Sequence, residues 1–147
     1  MSPIHRVSAA LRIFGDELDP DEITRLLGKA PSQVQRRGRP LQLPSGREGR
    51  IIDFSSWTIA AEETSPGDLD AQIEQILQGT TVDLAVWAHI ASAFRMDLFC
   101  GFFMRDNPEE IGLSPRSLLA LGQWRIKLSL DIYGPTRTKS EFGPMGS

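Results

Sequence analysis

The sequence of 147 residues contains a single cysteine, Cys100, and therefore no internal disulfide bond. No apolar run approaches the roughly 20 residues that a membrane-spanning helix needs, and the first residues lack the apolar core of a signal peptide. Only two histidines are present, and neither belongs to a metal-binding motif such as His-Glu-x-x-His. Together these absences argue against a secreted, disulfide-stabilised or membrane protein, and we expect a cytoplasmic one.

The motifs of common enzyme classes are also missing. There is no Gly-x-Ser-x-Gly elbow, no P-loop and no glycine-rich dinucleotide turn. Cys100 lies in an apolar segment, where a thiol behaves as a small hydrophobic side chain rather than as a nucleophile. We therefore assign no catalytic residue, no metal ligand and no cofactor from the sequence, and we expect a non-enzymatic protein.

What the chain does contain is ordinary for one globular domain. Hydrophobic residues make up 40% and charged residues 24% of the sequence, and a chain of this length can enclose a real core. The net charge of −3 gives no general attraction to nucleic acid. We predict a single α+β domain over residues 1–134 and a flexible tail over residues 135–147, where apolar periodicity is absent.

A short pattern that specifies a helix occurs twice. Residues 18–28 (LDPDEITRLLG) and 113–122 (LSPRSLLALG) each contain a leucine, a capping Asp19 or Ser114, a proline, an apolar run and a final glycine. Asp and Ser favour the N-cap, proline the first helical position, and glycine the end of a helix. The repeat predicts two similar strand–helix halves, and capping accounts for the acidic residues of the first copy without a metal site.

Apolar alternation predicts the strands of these halves. It is clearest over residues 7–13 and 124–133, while residues 51–60 and 96–104 are also strand-like. Amphipathic segments between the second and third strands predict two further helices. This order fits a ferredoxin-like two-layer sandwich with pseudo-duplicated βαβ halves, a four- to five-stranded mixed or antiparallel sheet, helices on one face and a helical insertion between the halves. Right-handed crossovers would place the first and third strands in the middle.

One face of this sheet is predicted to remain open. Its side chains would include basic residues interleaved with rings: Arg12, Phe14, Phe99, Phe103, Lys127 and Tyr133. Exposed rings on a four-stranded sheet are typical of single-stranded RNA platforms. The RNA-recognition consensus is absent, however, so we do not expect nucleic acid as the partner. The expectation for Phe99 and Phe103 is burial instead, either under the inserted helices or in a homodimer.

A second candidate surface is the segment between the first helix and the second strand. Between Lys29 and Arg50 lie six basic residues and one acidic residue, in a stretch rich in Pro, Gly and Gln that predicts a long loop. Arginine forks suit phosphate or carboxylate groups. The alternative is a solvated loop, or one that folds back on the acidic residues of the chain itself.

Three segments of the chain resemble a known family. The first is residues 11–23 (LRIFGDELDPDEI), followed by Leu26-Leu27-Gly28 and Pro31. The second is Trp57 after the basic loop, and the third comprises the closing segments 112–114 and 128–133. Together they are similar to a bacterial family known as domain of unknown function 4279, over roughly residues 7–134. The resemblance implies the same α+β fold. The family offers no activity that can be carried over to these residues, so the resemblance implies no catalytic residue.

We therefore expect an uncharacterised bacterial protein that acts as a non-enzymatic protein-interaction domain, of which an immunity-like inhibitor is one example. The partner would be another protein or a second copy of the chain, including a homodimer, with no role for membranes. The alternative function is binding of a small anionic ligand or phosphate through the Arg36–Arg50 loop. The candidate binding residues are Arg12, Arg36, Arg37, Arg39, Arg47, Arg50, Trp57 and Tyr133.

Overall fold

The computed structural model describes residues 2–136. The flexible tail predicted for residues 135–147 lies outside the described residues except for its first two positions. Residues 2–136 form nine strands and four helices, in this order: β1 (Ser2–Pro3), β2 (Arg6–Gly15), α1 (Pro20–Leu27), β3 (Gln33–Gln35), β4 (Pro40–Gln42), β5 (Glu48–Ile51), β6 (Ser55–Ala60), α2 (Leu69–Leu77), α3 (Leu84–Ala93), β7 (Arg95–Phe103), β8 (Glu109–Glu110), α4 (Pro115–Gln123) and β9 (Lys127–Tyr133).

The main sheet has five strands in the order β3-β6-β2-β7-β9. β2 pairs antiparallel with both β6 and β7, while β7 and β9 run parallel. The predicted α+β class and mixed sheet are therefore confirmed, and the two strands expected in the middle, β2 and β7, both lie in the interior. Two small two-stranded sheets, β1-β8 and β4-β5, stand beside the main sheet.

The ferredoxin-like detail is not confirmed. β7, α4 and β9 form a βαβ unit with parallel, adjacent strands. In the first half, β6 returns antiparallel beside β2, so the prediction of a matching βαβ unit there is wrong. The long connection between α1 and β6, which contains β3 and the β4-β5 hairpin, gives the chain enough length to reverse direction before it rejoins the sheet.

The core lies between the helices and one face of the sheet. Alternate residues of β2 and β7 are buried on that face, from Val7 to Ile13 and from Met96 to Phe102. The helices contribute the other half of the same cluster, including the fully buried Ile23, Ile76 and Trp87. The prediction that the helices pack on one face is confirmed, and the opposite face of the sheet remains accessible to solvent.

Most of the helix caps predicted from the sequence form in the structure. The Asp19 carboxylate accepts a hydrogen bond from the Asp21 N–H, and Gly28 ends α1 with a left-handed φ of 74°. Ser114 caps α4 by accepting a hydrogen bond from the Ser117 N–H. The expectation that Gly122 ends the second helix is wrong, because α4 continues to Gln123 and is followed by Trp124, whose ring stacks on Trp87 at 5.0 Å.

Asp70 on α2 supports the start of α4. Its Oδ1 accepts hydrogen bonds from the Ser117 hydroxyl at 2.6 Å and from the Ser114 N–H at 3.0 Å. Desolvation raises the pKa of Asp70, but these hydrogen bonds outweigh it, so the pKa lies below its ordinary value. The charged carboxylate at the N-terminus of α4 therefore joins two helices that are far apart in sequence.

Replacing Asp70 with Asn is expected to lower the free energy of unfolding by about 1 kcal/mol near neutral pH. A lowered pKa in the folded state stabilises the protein above the unfolded pKa of about 3.9, and this stabilisation is lost as the pH falls through the folded value. The difference between wild type and Asp70→Asn should therefore narrow below about pH 4 in urea unfolding curves.

The matched control is Glu74→Gln, which removes an exposed carboxylate one turn later on the same helix. This variant should unfold like wild type at both neutral and acidic pH. An Asp70→Asn difference of the same size at the two pH values would contradict the proposed role of the carboxylate charge.

Candidate functional site

The surface that the helices leave uncovered is called the open face here. It is formed by the side chains of the main sheet that point away from the core, and the pairing registers place basic, acidic and aromatic residues on it together. The charged and aromatic members are Arg6, Arg12, Phe14, Arg95, Asp97, Phe99, Phe103, Lys127, Asp131 and Tyr133. These residues carry four basic and two acidic side chains, a formal charge of +2. The charge is +1 when Glu63 is included, because its carboxylate forms an ion pair with Arg6 at 2.9 Å, whereas the whole chain carries −3.

An ion pair lies at the centre of the open face. Arg12 on β2 is directly opposite Asp97 on β7, and its Nε and Nη2 atoms donate to the two carboxylate oxygens at 2.9 and 2.7 Å. The Arg12 guanidinium also lies 4.3 Å from the centre of the Phe99 ring. The hydrogen bond to Asp97 has the largest effect on the pKa of Arg12 and raises it. Burial lowers this pKa by less, and the negative charges of Asp97 and Asp131 make smaller contributions that raise it.

The same combination of an arginine and an aromatic ring occurs at both ends of the β2–β7 pair. At one end, Arg6 lies 3.8 Å from the centre of the Phe103 ring, which is itself stacked on Tyr133 at 4.9 Å and 7°. At the other end, Arg95 lies 4.5 Å from the centre of the Phe14 ring. A guanidinium over an aromatic face is held by attraction to the ring quadrupole. Three arginines of the open face are thus positioned by rings.

The Arg36–Arg50 loop lies beyond β3, at the edge of the sheet opposite β9. Arg36 forms ion pairs with Asp21 at 3.0 Å and Asp19 at 3.8 Å, and Arg37 lies 3.9 Å from Glu17. These contacts correspond to the alternative in which the loop folds back on the chain's own acidic residues. Within residues 2–136, the exposed arginines Arg39, Arg47 and Arg50 form no ion pair.

The candidate residues therefore fall into three places. Arg12 and Tyr133 lie on the open face, together with the four further residues predicted to share it. The five arginines of the Arg36–Arg50 loop lie elsewhere. Trp57 lies in the core, fully buried, with its Nε1–H donating to Thr24 Oγ1 at 3.0 Å, so its side chain is not accessible to a partner.

Four members of the open face were missing from the sequence-based prediction: Arg6, Arg95, Asp97 and Asp131. The strand was expected to begin at Met96, but β7 begins at Arg95. Alternation backwards from Phe99 would have placed Asp97 and Arg95 on the same face. What the pattern alone could not supply is the register that brings Asp97 opposite Arg12.

Within residues 2–136, Cys100, the two histidines and Asp53 lie in different surroundings. Burial, together with the negative charge of Asp97, raises the pKa of Cys100 to about 12, so the thiolate that a nucleophile requires is not populated near neutral pH. His89 and Asp53 are exposed, and the His5 ring contacts Arg105 at 2.8 Å. Across the part of the chain that the structure describes, no cluster of three His, Cys, Asp or Glu side chains could hold a metal ion.

None of the helices in residues 2–136 has the length and apolar character required to cross a membrane. Comparison with curated proteins and with solved structures gives no match. A family model described as "Domain of unknown function (DUF4279)" matches residues 5–135, which include all five strands of the main sheet and the four helices. The chain therefore belongs to the family of domains of unknown function DUF4279.

Proposed function

We propose that this domain binds another protein through the open face. The observation that carries the proposal is the set of three arginine–ring contacts on a sheet surface that none of the four described helices covers. Arginine and aromatic residues are enriched among the residues that dominate binding energy in protein interfaces. An interaction domain without a catalytic centre, such as an immunity-like inhibitor, needs only such a surface.

The arrangement of Arg12 supports binding rather than structure alone. Guanidinium has five N–H donors, of which two are used by Asp97. Its side chain is 37% exposed, so the remaining donors can reach a carboxylate on a partner. Because Asp97 and Phe99 already hold the guanidinium in place, little side-chain entropy would be lost when a partner binds.

The charge of the open face indicates the chemistry of the partner. The surface keeps a positive formal charge of +1 even when Glu63, the partner of Arg6, is counted, whereas the whole chain is acidic. A positive surface favours an acidic protein surface, because complementary charge accelerates and orients association. The rings between the arginines would meet apolar side chains of the partner. We therefore propose a partner that presents carboxylates around an apolar centre.

The experiment compares binding by wild type with binding by Arg6→Glu/Arg95→Glu, which reverses the charge at both ends of the β2–β7 pair. Arg25→Glu/Arg116→Glu is the matched control, because it makes the same change of charge on exposed positions of α1 and α4. Proteins captured from the native lysate should be identified, purified and titrated by calorimetry. We expect at least a tenfold loss of affinity, about 1.4 kcal/mol, in the open-face variant and no loss in the control.

Equal affinity of both double variants for every captured partner would contradict the proposal, as would the absence of any partner at micromolar concentration. Tighter binding of a single-stranded RNA oligonucleotide, weakened by the same open-face variant, would assign the face to nucleic acid instead.

The alternative function, binding of a small anion by the Arg36–Arg50 loop, has weaker support because Arg36 is paired with Asp19 and Asp21. The exposed Arg39, Arg47 and Arg50 are the residues that favour it. A thermal-shift screen with phosphate and nucleotides separates the two functions. Binding there should raise the free energy of unfolding by RT ln(1 + [L]/Kd), and replacing these three arginines with alanine should remove the shift.

A further inference from the structure

The main sheet has one long open edge, formed by β9. Among the described residues, β9 pairs with β7 on one side and with no strand on the other. The opposite edge of the sheet, β3, has only three residues, two of them glutamine, and short polar edges are a common way to prevent further pairing. β9 has seven residues and carries Leu130 and Ile132, which are 46% and 64% exposed.

The direction of the backbone groups of β9 follows from one hydrogen bond. The Tyr133 carbonyl accepts from the Met104 N–H at 2.9 Å, so the backbone groups of Tyr133 point towards β7. Because this direction alternates along a strand, Asp131, Ser129 and Lys127 also point towards β7. The N–H and C=O groups of Leu128, Leu130 and Ile132 therefore point outward along the open edge.

We infer that β9 pairs with β9 of a second copy, antiparallel, around a two-fold axis at Leu130. This register uses the whole strand, placing Leu130 opposite Leu130 of the second copy and Leu128 opposite its Ile132. The backbone groups of Leu128, Leu130 and Ile132 all point outward. Each of the three opposed pairs therefore exchanges two hydrogen bonds, six in total, as antiparallel geometry requires. The two-fold relation makes the contact closed and self-complementary.

Side chains on both faces of β9 are complementary in this register. On the helix side, the exposed Leu130 and Ile132 become covered by leucine and isoleucine of the second copy. On the open face, Lys127 lies opposite Tyr133 and diagonal to Asp131 of the second copy, within reach of a long side chain. Within one chain Lys127 and Asp131 are four strand residues apart, about 13 Å, and cannot pair.

The dimer goes beyond the proposed function, because its contact lies at the edge of the sheet and does not use the centre of the open face. A two-fold axis perpendicular to the sheet leaves the open faces of both copies on the same side. The result is a ten-stranded sheet that presents two copies of the Arg12–Asp97 centre to one side. A contact of six hydrogen bonds and a narrow apolar strip is small, so we place its dissociation constant in the micromolar range.

Sedimentation velocity of the intact chain, from low micromolar to near-millimolar concentration, tests the pairing. Wild type should show a monomer–dimer equilibrium. Leu130→Lys should raise the dissociation constant by at least about tenfold, because two like charges face each other at the axis. The matched control is Val82→Lys, at a position 80% exposed and outside β9, which should dimerise like wild type. A wild type that stays monomeric throughout, or a dimer unchanged by Leu130→Lys, would overturn the inference.

A charge exchange adds a test that a general loss of folding cannot imitate. Lys127→Asp should weaken the dimer, and Lys127→Asp/Asp131→Lys should restore it, because the pair forms only between copies. A double variant as weak as the single one would count against the register.

Hydrogen exchange gives the third measurement, at single amides. The N–H groups of Leu128, Leu130 and Ile132 should be protected in the wild-type dimer and exchange rapidly in Leu130→Lys. A dimer in which these amides exchange rapidly would place the contact elsewhere. A wild type that binds an acidic partner through the open face but forms no dimer would overturn this inference alone. A wild type that dimerises through β9 but binds its partner equally well after Arg6→Glu/Arg95→Glu would overturn only the proposed function.

Discussion

Replacing Trp57 with alanine is expected to lower the free energy of unfolding by about 3–5 kcal/mol, the largest effect of any single change considered for this domain. Trp57 is fully buried on the helix side of β6, and its Nε1–H donates to Thr24 Oγ1 on α1. The substitution would remove an aromatic side chain that fills the space between this helix and the sheet. Urea unfolding, followed by circular dichroism, measures the change.

Two further substitutions provide reference values for the expected loss of stability. Trp57→Phe keeps most of the ring but loses the hydrogen bond, and should cost about 1–2 kcal/mol. Val34→Ala removes an apolar side chain directly opposite Trp57 on β3, at a position 39% exposed, and should cost less than about 1 kcal/mol. An alanine variant at position 57 that unfolds like Val34→Ala would contradict the assignment of Trp57 to the core.

The features that the sequence predicted well are those encoded within a few neighbouring residues. Asp19 with Pro20 and Ser114 with Pro115 begin their helices as expected, because a cap and a fixed proline φ act locally. The end of α4 was missed because it depends on a distant residue. Trp124, which follows α4, stacks on Trp87 of α3, and the left-handed φ of 57° occurs at Arg125 rather than at Gly122.

The direction in which the chain returns to the sheet is not a local property. A strand–helix–strand pattern is the same whether the second strand runs parallel or antiparallel to the first. The antiparallel return of β6 beside β2 depends on the length and folding of residues 28–54, which contain the β4-β5 hairpin. β9 returns parallel beside β7 through α4 alone, as the strand–helix–strand pattern predicted.

The candidate surface was predicted in composition but not in detail. Alternation placed Arg12, Phe99 and Tyr133 on one face, since the two-residue period of a strand is fixed by its backbone. The partner of Arg12 was not predictable, because only the register between β2 and β7 brings Asp97 opposite it. The ion pair between Arg36 and Asp21 likewise depends on tertiary structure. It reduces the number of loop arginines that remain available to a ligand.

Removing Arg12 is expected to destabilise the fold more than removing its partner. Arg12→Ala leaves the Asp97 carboxylate, whose side chain is 10% exposed, without the two hydrogen bonds that compensate its desolvation. Because the pair is partly open to water, we expect a cost of about 2 kcal/mol, below the value for a fully buried pair. Asp97→Ala leaves a guanidinium that is 37% exposed and can be hydrated, so it should cost about 1 kcal/mol.

A double-mutant cycle measured by urea unfolding tests this asymmetry and isolates the pair. Arg12→Ala/Asp97→Ala should be less destabilised than the sum of the single variants, because the second change removes the uncompensated carboxylate. Lys127→Ala, on the same face but exposed, should stay within about 0.5 kcal/mol of wild type. Additive single effects would show that Arg12 and Asp97 act independently. In that case Arg12 would not be held ready for a partner, and the proposed binding role of the open face would lose its central element.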